Sequence, residues 1–85
     1  MRIDISNGYY TVNELGQYHS FNDEPAISVE TVYEQVTDSE ELQEIEGYKA
    51  WYKNGQIHRE GNPAVIRNNG KKFWYENGNY IREEE

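Results

Sequence analysis

Four Asn-Gly pairs, Asn7-Gly8, Asn54-Gly55, Asn69-Gly70 and Asn77-Gly78, constrain this chain more than any other feature. Asn and Gly tolerate the two consecutive positive-φ positions of a type I′ turn, whose twist matches that of the strands it joins. Tyrosine, tryptophan and isoleucine flank the pairs in short runs, so serial hairpins follow. The expected strands are Arg2 to Ser6, Tyr9 to Val12, Gln17 to Phe21, Ala26 to Val36, Tyr48 to Lys53, Gln56 to Arg59, Ala64 to Arg67, Lys71 to Glu76 and Asn79 to Arg82.

The hairpins recur. WYKNGQIHRE, Trp51 to Glu60, returns 23 residues later as WYENGNYIRE, Trp74 to Glu83, with six of ten positions identical. A fainter copy precedes them, where Gly16-Gln17-Tyr18-His19 matches Gly55-Gln56-Ile57-His58 and Pro25-Ala26 matches Pro63-Ala64. From Pro25 to Trp51 is 26 positions but from Pro63 to Trp74 only 11, so the first unit carries an insertion of 15 residues. One domain over 1–85 is expected, with a weak repeat at 9–36, an acidic insert at 37–47 and repeats at 48–70 and 71–85. Repeat units of this kind bury surface by stacking on their neighbours.

Within the insert, Asp38 to Gly47 (DSEELQEIEG) has an acidic N-cap, Glu41 in capping-box position, Leu42 and Ile45 three apart, and a closing Gly. Those features predict a helical turn or two. The expected fold is therefore mainly β, an antiparallel hairpin-repeat meander with one short helical insert.

The core must be small. Only 14 residues are Ile, Val or Leu, against 12 aromatic ones of which eight are tyrosine, so rings must supply much of the buried area. Cysteine is absent, which rules out disulfides and thiolate metal sites. No apolar run approaches the roughly 18 to 20 residues of a membrane-spanning helix, and the start, Met-Arg-Ile-Asp, carries no apolar signal region. A cytoplasmic protein is expected, in the host cell's cytoplasm if viral.

Charge is distributed unevenly. Residues 1–47 hold 11 acids and one base, Arg2, a net of −10, whereas residues 48–85 hold seven bases and five acids, a net of +2. The overall −8 thus belongs to the first half, which suits a basic partner and disfavours direct contact with nucleic acid or an anionic membrane.

The pattern [WY]-Y-x-N-G-x-x-x-R-E, joined in the middle copy to His58-Arg59-Glu60-Gly61-Asn62-Pro63-Ala64, resembles the MORN-type repeat in its bacterial and viral variant. The likeness covers Tyr48 to Glu83 well, Gly16 to Ile27 loosely and the insert not at all. The family's G-P-A is here Gly61-Asn62-Pro63-Ala64, and the first copy lacks the Trp-Tyr and the Asn. The resemblance implies a hairpin array used as an interaction surface, and it transfers no activity.

No phosphate-cradling or nucleophile-elbow motif is present, and His19 and His58 are too far apart in sequence for a recognisable metal spacing. His58 and Glu60 would share one strand face as an acid–base pair, but catalysis needs a third group and a pocket. The chain is accordingly expected to be no enzyme, with no cofactor and no metal. The expected function is a protein-binding module, in its sharper form a phage-encoded inhibitor sequestering a host defence factor, nuclease or toxin through an acidic face. A bacterial antitoxin-like protein or a structural repeat protein are the alternatives. The expected partner-binding residues are Asp38, Glu40, Glu41, Glu44 and Glu46 of the insert, with Trp51 and Trp74 as ring anchors. Unpaired sheet edges would also allow a homodimer.

Overall fold

The computed structural model describes residues 1–35 and 40–85. Eleven strands are present among them, and no helix: β1 Arg2–Ile5, β2 Gly8–Thr11, β3 Ile27–Val29, β4 Val32–Gln35, β5 Leu42–Ile45, β6 Tyr48–Ala50, β7 Tyr52–Lys53, β8 Gln56–Ile57, β9 Val65–Arg67, β10 Lys72–Glu76 and β11 Asn79–Glu84. Seven form one antiparallel sheet in the order β1-β2-β3-β6-β9-β10-β11, while β4 pairs only β5 and β7 only β8. Each strand of the main sheet is thus next to its neighbours in chain order, with two hairpins, β4–β5 and β7–β8, left outside.

The expected helix is corrected. Leu42–Ile45 is a strand, paired Val32↔Ile45, Tyr33↔Glu44, Glu34↔Gln43 and Gln35↔Leu42. A helix this short leaves most of its end groups without partners and is marginal in water, whereas the extended segment satisfies its backbone against Val32–Gln35. The inserted element is a second hairpin, and the capping pattern did not prevail over that pairing. Asp38 lies outside the described residues. The expected single strand from Ala26 to Val36 is also split, into β3 and β4. Gln17 to Phe21 forms no strand of its own: a lone bridge joins Val12 to Tyr18, and Ser20 N–H donates to the Tyr52 carbonyl at 2.8 Å.

Two of the four Asn-Gly pairs adopt positive φ at both residues, Asn54 (49°) with Gly55 (85°) and Asn77 (50°) with Gly78 (81°). The other two differ. Asn69 stays at negative φ, and Gly70 (93°) closes a longer turn in which its N–H donates to the Arg67 carbonyl at 2.9 Å. Gly8 belongs to β2, directly opposite Ile5, and the turn before it is Ser6-Asn7.

Each Asn-Gly turn that takes two positive φ values rests on the preceding copy. Asn54 N–H donates to His19 Nδ1 at 3.1 Å and Gly55 N–H to the Tyr18 carbonyl at 2.9 Å. In the next copy Asn77 N–H donates to His58 Nδ1 at 2.9 Å and Gly78 N–H to the Ile57 carbonyl at 2.9 Å. Pro-Ala repeats as well. Ala26 N–H reaches the Ala50 carbonyl although Ile27 is the residue opposite Ala50, and Ala64 N–H reaches the Phe73 carbonyl although Val65 is opposite Phe73. Two residues then face one, a bulge at each Pro-Ala, and alanine suits it because Ala26 and Ala64 are both wholly buried.

Strand alternation and register divide the sheet into two unlike faces. One bears Ile3, Tyr10, Ile27, Ala50, Val65 and Phe73 in a single cross-strand row. The other bears Arg2, Asp4, Tyr9, Ser28, Lys49, Lys72 and Trp74, with guanidinium groups laid on rings: Arg2 on Tyr9 at 4.0 Å, Arg59 on Trp51 at 3.8 Å and Arg82 on Trp74 at 4.4 Å. Among the described residues Ala26, Ala50, Trp51 and Ala64 make up the buried hydrophobic core.

A Cβ added at Gly55 would meet only the Gln17 side chain, at 3.5 Å, so its cost is conformational. Gly55→Val should therefore destabilise by about 1 kcal/mol or more, since a β-branched residue resists φ near +85°. Urea unfolding checks this; an unchanged midpoint would contradict the turn.

Candidate functional site: an acidic hairpin arm and an aromatic cleft

Residues 30–47 contain seven acids and no base. The β4–β5 hairpin carries most of them away from the sheet. Tyr33, Gln35, Leu42 and Glu44 share one side of this arm, and Val32, Glu34, Gln43 and Ile45 share the other. Tyr33 is 63% and Leu42 65% exposed, while Glu40, Glu41 and Glu44 also face solvent. Neither large apolar side chain contributes to the core.

The base of the arm, by contrast, is fixed. Thr31 Oγ1 accepts from Gly47 N–H at 3.0 Å and from Asn68 Nδ2 at 2.9 Å. Gly47 is buried so closely against Val29–Thr31 that a Cβ there would overlap their backbone. Glu46 accepts from Arg67 Nε and from Asn69 N–H, both at 3.3 Å, tying the end of β5 to the β9–β10 turn. Glu46 therefore works as a brace at the base of the arm. Thr31 had no distinguishing signal in the sequence, because its role depends on a contact with Asn68, 37 positions away.

On the sheet itself, an open cleft of about 360 Å³ is lined by His19, Ser20, Asp23, Trp51, His58 and Arg59, among others. Trp51 is its floor. Only 6% of this residue is exposed, its Nε1–H donates to the Asp23 carbonyl at 2.9 Å, and Arg59 covers its ring. Arg59 in turn makes a two-pronged pair with Asp23, Nε to Oδ1 and Nη2 to Oδ2 at 3.1 Å each, and reaches the Pro63 carbonyl at 3.2 Å. Trp51 thus sits in the core, and little of it is left to meet a partner. Trp74, half-buried under Arg82, stands on the same face of the sheet.

The two histidines of the cleft each spend the Nδ1 lone pair on a backbone N–H of the next copy. In a neutral ring the proton is then on Nε2, which becomes a donor and no metal ligand. His58 Nε2 lies 3.6 Å from Glu60, whose side chain is open to water. Among the described residues no group of three or more His, Asp or Glu converges as a metal site. The constellation holds one repeat copy to the next.

Comparison with family models, with curated proteins and with solved structures returned no match.

Two groups in this packing have their acidity shifted by their surroundings. The Arg59 hydrogen bond, aided by its charge and opposed by slight desolvation, holds the Asp23 carboxyl below its ordinary value. Burial, then the neighbouring Tyr48, Tyr18 and Tyr75, pushes the Tyr52 hydroxyl up. A lowered acid stabilises above its unfolded pKa of about 3.9 and loses that stability as pH falls through the folded value. A raised phenol stabilises below about 10 and loses that stability as pH rises through its folded value. Asp23→Asn should therefore flatten the acid limb of a melting temperature versus pH curve, and Tyr52→Phe the alkaline limb. Limbs identical to wild type would show that neither group contributes.

Proposed function

We propose that the protein is a non-enzymatic binding module of MORN-like hairpin design, and that the β4–β5 arm is the element that meets its partner. One observation carries the reading: the arm places Tyr33 and Leu42 in solvent beside Glu44 on a rigid base, where they add nothing to the core. A free two-stranded hairpin is marginal in water, so exposed apolar groups on one favour a second surface that covers them. The surrounding acids select its chemistry. A folded protein with a basic surface, such as the groove of a nucleic-acid-binding factor, nuclease or toxin, fits the seven carboxylates of residues 30–47. Sequestration of such a factor, in the manner of a phage-encoded inhibitor, is the biological form of this proposal.

The division of labour within the acids refines the test. Glu40, Glu41 and Glu44 are exposed and steer association, and Glu46 ties the base of the arm to Arg67 and Asn69. Tyr33 and Leu42 are the anchors that hold the complex once formed, the role that large rings usually play at about 2 kcal/mol or more each.

The double variant Glu40→Gln, Glu44→Gln should keep the wild-type melting temperature. Columns of wild type and of this variant, loaded with the same cell lysate at low salt, provide the test. Basic proteins retained by wild type, released by salt and lost from the variant column would support the arm. Retention of the same proteins by both columns would sink the acidic contact, and retention of none would sink the binding module. Glu46→Gln should instead lower thermal stability, by about 1 kcal/mol or less for a partly exposed pair.

A further inference from the structure

The face opposite the guanidinium stacks carries six of the eight tyrosines. Tyr10 and Tyr48 lie on it by register, and Tyr18 joins it through the Val12↔Tyr18 bridge. Their rings form a ridge across the sheet. Tyr10 meets Tyr18 at 5.9 Å, Tyr18 meets Tyr52 at 5.2 Å, and Tyr75 meets Tyr80 at 5.5 Å. Ile5, in one cross-strand row with Gly8, Val29 and Tyr48, extends the apolar surface to the first strand.

Nothing within the described residues lies over this ridge as a second layer. No large side chain is fully buried, and Tyr80 is still 57% exposed. A sheet with one apolar face is stable when another layer covers that face. The accessible surface states the deficit in numbers. A compact monomer of 10.1 kDa exposes about 5,300 Å² by the size scaling of folded proteins, but this chain exposes 6069 Å². The excess, about 800 Å², is shared by the protruding β4–β5 arm and the open sheet face, and it is of the size that one partner contributes to a standard stable interface.

We propose that a second copy of this chain covers the tyrosine face, the two sheets packing face to face about a twofold axis. Charge decides for a second copy over a basic protein. The ridge holds tyrosines and aliphatic side chains, and the cation at its margin, Arg67, is already paired with Glu46 at 3.3 Å. A basic surface is drawn to the carboxylates concentrated on the arm, whereas the ridge, whose rings carry no net charge, fits a copy of itself, and aromatic-rich patches are the usual centres of such interfaces. The exposed acids of the β4–β5 arm belong to a separate surface, the one assigned to the other partner. The dimer expected from sheet edges is thereby moved to a sheet face.

Salt separates the two contacts. Two chains of net charge −8 repel each other at long range, so added salt strengthens the dimer, whereas the contact of the arm with a basic surface weakens. Sedimentation equilibrium at concentrations well above micromolar, in about 0.05 and 0.5 M NaCl, spans a roughly threefold change in Debye length. The expected result is a species of twice 10.1 kDa whose share rises with salt. A 10.1 kDa monomer under both conditions overturns the proposal. Ile5→Lys with Tyr80→Lys should yield a folded monomer, and a dimer that survives both substitutions assigns the contact to the edges and also overturns it. Should that variant not fold, hydroxyl-radical footprinting of the wild type decides. Tyr18 and Tyr80 should be protected upon dimerisation while Tyr33 on the arm is not, and equal labelling of all three in monomer and dimer overturns the assignment.

Discussion

The structure depends on how one hairpin turn is held by the copy before it. A type I′ turn ends with its own backbone N–H groups pointing outward, and here those of Asn54 and Asn77 are received by His19 and His58, while Gly55 and Gly78 are received by the Tyr18 and Ile57 carbonyls. Each copy thus provides the acceptors that its successor needs. The sequence distance between acceptor and turn is 35 residues in the first case and 19 in the second. The β4–β5 insertion accounts for all but one residue of the difference, and an insertion of this size is tolerated because the two ends of the arm meet again at Thr31 and Gly47.

That arrangement explains why so little of the chain is buried. Copies connected edge to edge by backbone hydrogen bonds make a sheet one layer thick, and a single layer has no interior for large side chains. Trp51 is the exception, and it is buried by accessories: Arg59 above the ring, Asp23 fixing Arg59, and the Asp23 carbonyl receiving the indole N–H. The tyrosines of the opposite face have no comparable cover. In a sheet of one layer, the face without such accessories is the one that a second layer would close.

The arm and the sheet also differ in what fixes them. Within the sheet, a residue is placed by its ladder partners, so its direction follows from alternation. In the arm, the base is braced through Glu46, Thr31 and Gly47, while Tyr33 and Leu42 further out are exposed. Loops and excursions on rigid sheets commonly carry recognition for this reason.

What the sequence determined by itself was local or periodic. Asn54-Gly55 and Asn77-Gly78 specified their turns because the required φ values belong to those two residues alone. The recurrence of Trp51 to Glu60 as Trp74 to Glu83 identified the antiparallel hairpins, and the spacing from Pro25 to Trp51 located the insertion. Tertiary structure decided the rest. Leu42–Ile45 became a strand because Val32–Gln35 was available to pair with it, a fact absent from its own helix-like spacing. Asn69-Gly70 took a different turn from its sequence twins, in a β9–β10 connection whose Asn68 and Asn69 bond to Thr31 and Glu46. Glu46 and Trp51 resembled surface anchors in sequence, yet Arg67 and Arg59 drew them into the fold. A side chain's exposure is a property of everything that packs around it, and only the folded chain brings those groups together.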